Sequence, residues 1–198
     1  EKVMKFAQLR YIKIIMNAFM GIAAFSIGAS IFSLVKSIPI PVWQTFLTNS
    51  GLGDLLSIPI NMVSNLYAIM VVICVGYEVG KAFNQRPLPA AMVSFGAFMI
   101  LTPFEATVSL ATEAGETISG VASNVISLSP LGSQGIFLAM FCGLLAGRLY
   151  IFLLQKNIKL KMPASIPPSV AGMFETMIPA GIVFILFMIL RLLFAQTS

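Results

Sequence analysis

Two carboxylates lie inside long apolar segments, where a charged group must find either a partner or water. Glu78 stands three residues before Lys81, a spacing that permits an ion pair on one face of a helix. Glu175 has no basic residue close to it in its own segment, and its nearest cations are Lys159 and Lys161 in the preceding loop. A carboxylate placed this way is costly unless it is paired or hydrated, so Glu175 is a candidate for a proton or substrate contact. The alternative is a carboxylate that still reaches water near the start of its helix.

The residue types that most chemistry requires are otherwise scarce. The chain has no histidine, which is the commonest general base and a frequent metal ligand. Its two cysteines, Cys74 and Cys142, fall in apolar segments, where a thiol behaves as a small apolar group. The sequence shows no glycine-rich phosphate loop and no nucleophile motif. We therefore expect no catalytic residues, no metal and no cofactor, and an enzyme acting alone is the least favoured class.

The composition predicts a membrane protein built from helices. Of its residues 58% are apolar and 10% are charged, and the mean hydropathy is +0.96. Crossing the ~30 Å hydrocarbon core of a bilayer takes about 20 apolar residues in a helix, with every backbone polar group paired internally. The apolar runs are continuous and do not alternate every second residue, which excludes the pattern of a transmembrane barrel. The sequence thus indicates an all-α membrane protein.

We predict a single membrane domain, residues 1–198, with about five spans. They are placed near residues 14–35, 57–80, 88–109, 134–155 and 170–194. Ten of the twelve Lys and Arg residues fall on one side of this arrangement, and only Lys36 and Arg191 fall on the other. Because cytoplasmic loops hold the excess of positive charge, the N-terminus is expected in the cytoplasm and the C-terminus outside. The net charge of +5 then reflects topology and contact with anionic lipid, with no nucleic acid involved.

Two connecting segments are predicted to have structure of their own. Residues 37–56, after the first span, contain Pro39, Pro41 and Trp43 among apolar and polar residues. They are expected to form a short amphipathic helix at the membrane surface, with a lid over a substrate entrance as the alternative. Residues 103–133, before the fourth span, are acidic and rich in Thr and Ser. We expect a long external loop there, whose β-branched residues could pair in a small hairpin.

Two glycine pairs at i and i+4 lie in the predicted spans, Gly76 with Gly80 and Gly143 with Gly147. Glycines at this spacing let another helix approach the backbone closely. Packing between helices of the same chain is the first interpretation, and a dimer face is the second.

The most specific stretch joins a basic loop to the last span through closely spaced prolines. It reads KMPASIPPSVAGMFETMIPAGI over residues 161–182. Its distinctive residues include Lys161, Met162, Pro163, Pro167 and Pro168. The stretch resembles a segment found midway through the membrane-spanning C component, EIIC, of the lactose/cellobiose family of bacterial sugar phosphotransferase systems. Weaker matches at 76–103 and 131–137 extend the resemblance over nearly the whole chain.

The resemblance implies the N-terminal half of a sugar permease. In the family this half forms the scaffold and the dimer contact, the C-terminal half binds the sugar, and a separate B component phosphorylates it in the cytoplasm. The loop after Arg148 would then lie nearest the B component. Candidates for docking or for a gate are Lys159, Lys161, Met162, Pro163, Pro167, Pro168 and Glu175. Positive-inside topology explains the basic residues among them equally well.

The chain departs from the family pattern at Gly172, Met173 and Glu175. No family role therefore passes to the Glu175 carboxylate. The C-terminal, sugar-binding half of the family is absent from these residues, so the sugar cannot be chosen from them. The sequence also begins at Glu1 without a methionine, and we expect it to be part of a longer natural chain.

Three functions remain open, of which we favour the first. It is the scaffold half of a permease that takes up a disaccharide of the cellobiose, chitobiose or lactose type across the bacterial cytoplasmic membrane. Its partners would be the lipid bilayer, a second copy, the B component and the missing half. The second is a stand-alone, half-size assembly or regulatory protein of the same descent. The third is an unrelated small transporter or channel whose path is marked by Glu105 and Glu175.

Overall fold

The computed structural model describes residues 9–111, 117–160 and 167–196 of the chain. Within these ranges six helices form one bundle. They are α1 (Arg10–Lys36), α2 (Pro41–Ser50), α3 (Leu52–Ala82), α4 (Pro87–Leu101), α5 (Ile136–Gln155) and α6 (Pro168–Ala195). Strands β1 (Glu105–Ala111) and β2 (Thr117–Ser123), followed by two short 3-10 turns, connect α4 to α5.

Four helices of the described residues, α1, α3, α5 and α6, are long and apolar enough to cross a membrane. They confirm apolar helices at the first, second, fourth and fifth predicted spans. Helix α4 has 15 residues, or about 22 Å at 1.5 Å per residue, which is shorter than the hydrocarbon core. The predicted extension of this span to residue 109 was wrong. Pro103 disfavours the helical conformation at the preceding residue, and Thr102 is extended with φ −73° and ψ 130°.

The chain beyond Thr102 also departs from a strictly all-α fold. Strands β1 and β2 pair antiparallel, in a register that sets Thr107 opposite Val121 and Val108 opposite Gly120. β-Branched residues favour the extended backbone, which explains strands in a protein otherwise made of helices. Part of the predicted external loop is therefore a hairpin.

The end of the bundle at which α3 and α5 finish, and at which α4 and α6 begin, is called the basic end below. Here the guanidinium groups of Arg10 and Arg148 lie 4.9 and 4.4 Å from the ring centre of Phe83. Both stack on the same aromatic ring, which favours a cation over its face. The contact joins the start of α1, the end of α3 and the last turns of α5.

Asparagines end α3 and α5 at the basic end. Asn84 and Asn157 adopt left-handed backbone conformations, with φ of 53° and 57°. The N–H groups that follow them donate to the carbonyls of Gly80 and Leu153, each at 3.0 Å. This is the Schellman pattern, in which a left-handed residue lets the chain satisfy terminal carbonyls of the helix.

Side chains satisfy helix carbonyls at the opposite end. Trp43 Nε1, on α2, donates to the carbonyl of Val35 at 2.9 Å. Arg191 Nη1 donates to the carbonyls of Ile100 at 2.7 Å and Thr102 at 3.3 Å. Terminal carbonyls have no partner within their own helix, and leaving them unpaired in an apolar medium is costly. The predicted short helix after the first span thus forms, and it caps α1.

The core of the bundle is a close crossing of α3, α4 and α5 around Ser94. Its Oγ donates to the carbonyl of Ala90 at 2.8 Å and also approaches the carbonyl of Gly143 at 3.3 Å. A Cβ added at Gly76 would lie 2.5 Å from Ser94 Oγ, and one at Gly147 would lie 3.2 Å from it. Side chains larger than hydrogen at these glycines would push the three helices apart.

The remaining members of the two glycine pairs also face helices of their own chain. A Cβ at Gly80 would lie 2.6 Å from the Cα of Pro87, and one at Gly143 would lie 2.8 Å from the Cβ of Val75. All four glycines are therefore occupied by contacts within one chain. A second copy of the protein would have to use other surfaces.

We expect Gly76→Ala to lower the melting temperature of the detergent-solubilised protein. The new methyl group would lie 2.5 Å from Ser94 Oγ and 3.0 Å from the Ala90 carbonyl oxygen, and overpacking of this kind costs about 1–3 kcal/mol. The melting temperature can be followed with a thiol-reactive dye in a Cys74→Ala background, because Cys74 is partly exposed whereas Cys142 is 0% exposed in the folded protein. Gly181→Ala is the matched control, since a Cβ there meets nothing within 4 Å. Equal melting temperatures for the two variants would contradict the close crossing.

Candidate functional site at the basic end

The predicted docking residues that the structure describes gather at the basic end. Lys159 follows the capped end of α5, while Pro167 is the N-cap of α6 and Pro168 its first residue. Proline suits this position because its missing N–H has no partner there in any case. Glu175 lies seven residues further along, about 10 Å from the start of the helix. Three other candidates, Lys161, Met162 and Pro163, lie outside the described residues.

Glu175 forms an ion pair with Lys159. The Nζ atom of Lys159 lies 3.1 Å from Oε2 of Glu175, and the two side chains are 27% and 35% exposed. The sequence named Lys159 as one of two possible partners, and this is confirmed. Because this carboxylate is paired and partly hydrated, burying it costs little free energy. Its exposure supports the interpretation that Glu175 reaches water.

Glu78 is paired as its spacing predicted. Its Oε1 lies 3.1 Å from the Nζ atom of Lys81, and its Oε2 accepts a hydrogen bond from Asn17 at 3.1 Å. The second contact links α3 to α1. It could not have been read from the local spacing, because Asn17 lies on a different helix.

Glu105 and Glu175 lie at opposite ends of the bundle. Arg191, at the far end of α6, donates to Thr102 close to the start of β1, where Glu105 lies. Sixteen residues of helix separate Glu175 from Arg191, which is about 24 Å. The two carboxylates therefore do not form one site.

A cavity of about 320 Å³ opens between the turn after α3, the end of α5 and the first turns of α6. Lys159 and Glu175 form part of its wall. The other polar residues that matter to its chemistry are Gln85, Arg86, Tyr150 and Asn157. Both Schellman ends contribute to the wall, since Gln85 and Asn157 belong to them. The cavity is thus built from two helix C-termini and one helix N-terminus.

Sequence reasoning missed two residues of this cavity as candidates. Arg86 counted only as a topology charge, and Tyr150 looked like one aromatic residue among many in an apolar span. The structure places the Arg86 guanidinium against Gly172, where an added Cβ would lie 1.8 Å from Nη1. The Tyr150 side chain is 1% exposed. The expected departure from the family pattern at Gly172 was a usable signal, since that glycine makes room for Arg86.

Glu175, which is also expected to depart from the family pattern, lines the same cavity. Gly172 accommodates a guanidinium, and Glu175 supplies the carboxylate for Lys159 on the neighbouring wall. The two positions lie three residues apart on α6, so they share one face of the helix. Gly172 and Glu175, two of the three residues expected to depart from the family pattern, therefore line one cavity, whereas Met173 lies outside it and is 72% exposed.

The long apolar helices and their small-residue crossing define an integral membrane protein of the multi-helix class. Such proteins include transporters whose chains are built from helical halves. The family described as Phosphotransferase system, EIIC, matches residues 16–198. The chain belongs to this family, which overturns the hypothesis of an unrelated transporter or channel.

Relatives within the family are similar over almost the whole chain. The oligo-beta-mannoside-specific EIIC component of Bacillus subtilis (strain 168) is 30% identical over 199 residues, which are 96% of this chain and 42% of that relative. The cellobiose-specific EIIC component of Geobacillus stearothermophilus is 29% identical over 197 residues, covering 98% of this chain and 43% of that relative.

A solved transporter has the same fold. The crystal structure of ChbC, the IIC component from the N,N'-diacetylchitobiose-specific phosphotransferase system, is similar with a TM-score of 0.90 and 29% identity. The similarity covers 99% of this chain and 45% of ChbC. The chain therefore spans less than half the length of each of these relatives.

A double-mutant cycle should detect the Lys159–Glu175 ion pair. Lys159→Met and Glu175→Gln are expected to be non-additive by about 0.5 kcal/mol, because a partly exposed pair contributes a modest coupling. The free energy of unfolding can be compared by titration with dodecyl sulfate in mixed micelles. The control cycle combines Lys156→Met with Glu175→Gln. Lys156 lies over the ring of Phe152 and forms no ion pair with Glu175. Additive effects in both cycles would show that the pair does not form.

Proposed function

We propose that this chain is the scaffold half of a permease that takes up a disaccharide and delivers it for phosphorylation by a separate B component. The observation that carries the proposal is the match of 99% of the chain to one portion of the ChbC transporter at a TM-score of 0.90. The relatives are named for oligo-beta-mannosides, cellobiose and N,N'-diacetylchitobiose. A disaccharide of the cellobiose, chitobiose or lactose type is therefore the proposed substrate.

The sugar site itself is proposed to lie in a second half, on the same or on a separate chain. The relatives are more than twice as long as the region they share with this chain, so most of each transporter lies outside it. The phosphotransferase activity would belong to the B component, and this half would not be an enzyme by itself.

The basic end is proposed to face the cytoplasm. The cations at this end among the described residues are Arg10, Lys13, Lys81, Arg86, Arg148, Lys156 and Lys159. The opposite end has Lys36 and Arg191, and each of these contacts polar groups of the protein. An excess of Lys and Arg on one side marks the cytoplasmic face of bacterial membrane proteins. The B component, a cytoplasmic partner, would then meet the loop that follows α5.

A homodimer is the proposed assembly, with its contact outside the glycine crossing. Large apolar side chains remain exposed along α1, among them Met20, Ile27, Ile31 and Leu34. Such a surface is suited to lipid or to the equivalent helix of a second copy. The four glycines are not available for it, because they are occupied within the chain.

Uptake of radiolabelled cellobiose and N,N'-diacetylchitobiose tests the proposal. The host cells should lack their own permease for these sugars and contain the B component. We expect no uptake with this chain alone or with the C-terminal half of a relative alone, and uptake when both are expressed. Gly181→Ala should leave this uptake unchanged. Uptake by the chain alone would contradict the scaffold role, as would two halves that co-purify and still fail to transport.

Light scattering tests the dimer separately. The detergent-solubilised chain is expected to have a protein mass twice its monomer mass of 21.3 kDa. The value should hold over a tenfold dilution, because an interface that forms in the membrane is usually large and apolar. A monomer at all concentrations would refute the homodimer and leave the uptake experiment to decide the scaffold role.

A further inference from the structure

The geometry points to a binding site for a phosphate group in the cavity at the basic end, formed by Arg86, Lys159 and the hydroxyl of Tyr150. This inference rests on the cavity alone and does not depend on sugar uptake. Three observations carry it: the position of the Arg86 charge, the unpartnered hydroxyl of Tyr150, and the pairing of Lys159 with Glu175.

Arg86 forms no ion pair with the described residues. Among the described residues the two ion pairs are Glu78–Lys81 and Glu175–Lys159, and neither includes Arg86. Its guanidinium lies against Gly172 in the first two turns of α6. The N-terminal end of a helix has a partial positive charge of its own. The two helix C-termini in the wall carry partial negative charge and oppose this effect, so the Arg86 guanidinium supplies the main attraction for an anion in the cavity.

The hydroxyl of Tyr150 has no partner in the part of the chain that the structure describes. It is the buried side-chain polar atom there that lacks a hydrogen bond, while the buried hydroxyls of Ser94 and Thr102 each donate to a carbonyl. An unsatisfied buried hydroxyl destabilises the protein. Tyr150 lines the cavity, but its hydroxyl is shielded from solvent, so an oxyanion reaches it only after a side chain of the wall moves aside. Accepting its hydrogen bond would then remove that destabilisation.

The ion pair between Lys159 and Glu175 should control how strongly the site binds an anion. In the structure the ammonium of Lys159 contacts the carboxylate at 3.1 Å, and both side chains line the cavity. A bound phosphate group would compete with Glu175 for this ammonium. Neutralising the carboxylate should therefore strengthen anion binding, an effect opposite to that of removing Arg86.

The donors favour phosphate over smaller anions. A guanidinium presents parallel N–H groups that match two oxygens of a phosphate, and charge-assisted hydrogen bonds of this kind are strong. The cavity of about 320 Å³ has room for the group to which the phosphate is attached. That group could be a soluble phosphate ester or a lipid headgroup, since the basic end is where anionic headgroups would lie.

Binding should be measured on the complete chain in detergent by calorimetry, with inorganic phosphate and glucose 6-phosphate as probes. We expect Arg86→Gln to weaken binding about tenfold or more, because it removes a charge-assisted contact. Tyr150→Phe should weaken it several-fold, whereas Glu175→Gln should strengthen it. Lys156→Gln is the matched control, because it removes one positive charge from the same end outside the cavity.

A second arm separates the two phosphate sources. The chain is placed in nanodiscs that contain phosphatidylglycerol and phosphatidylcholine, and the lipid that remains bound is measured by native mass spectrometry. The site is assigned to a lipid headgroup if the original chain retains phosphatidylglycerol, Arg86→Gln loses it, and neither soluble probe binds. Binding of the soluble probes in the expected order of variants assigns it to a phosphate ester or free phosphate.

The variant Arg86→Lys and the melting temperatures of all variants distinguish a loss of binding from a folding defect. Arg86→Lys keeps the charge but loses the paired N–H groups, so it should bind more weakly than the original chain and more tightly than Arg86→Gln. Equal binding by the original chain and Arg86→Gln in both arms would overturn the site. So would unchanged binding in Glu175→Gln, a variant whose expected effect is a gain and cannot come from misfolding.

Discussion

The close crossing of α3, α4 and α5 at Ser94 is the contact on which the rest of the structure depends. Inside a bilayer the hydrophobic effect does not draw apolar helices together, so association relies on packing and on hydrogen bonds between helices. Gly76 and Gly147 bring their backbones to the Ser94 hydroxyl, which donates to a carbonyl of its own helix and lies 3.3 Å from a carbonyl of α5. Small side chains and one satisfied polar group thus set how closely the three helices approach within the buried apolar core.

The crossing also determines what lies at the basic end. Because α3 and α5 are held against α4, their capped ends arrive beside the start of α4, and Arg86 stands just before that helix. Helix α6 packs on α4 and α5, which brings Gly172 and Glu175 to the same place. The cavity is therefore a consequence of how the helices end, and no single segment contains it.

The wall of this cavity can differ between proteins that share the EIIC bundle. The bundle is the shared part, as the similarity to ChbC shows. Gly172 and Glu175 shape the wall and lie outside the crossing, since one makes room for Arg86 and the other pairs with Lys159. A scaffold common to several transporters can in this way present different chemistry at its basic end.

The sequence alone determined the features that depend on near neighbours in the chain: long apolar helices, one basic side, and the Glu78–Lys81 pair. The early end of α4 is also a local feature, because Pro103 disfavours the helical conformation at Thr102. Tertiary structure alone decided which glycines meet Ser94, that Arg86 rests on Gly172, and that the Tyr150 hydroxyl lacks a partner among the described residues. The physical reason is the distance along the chain over which each kind of interaction acts. Periodicity and propensity act over a few residues, whereas these contacts join helices that are far apart in the sequence.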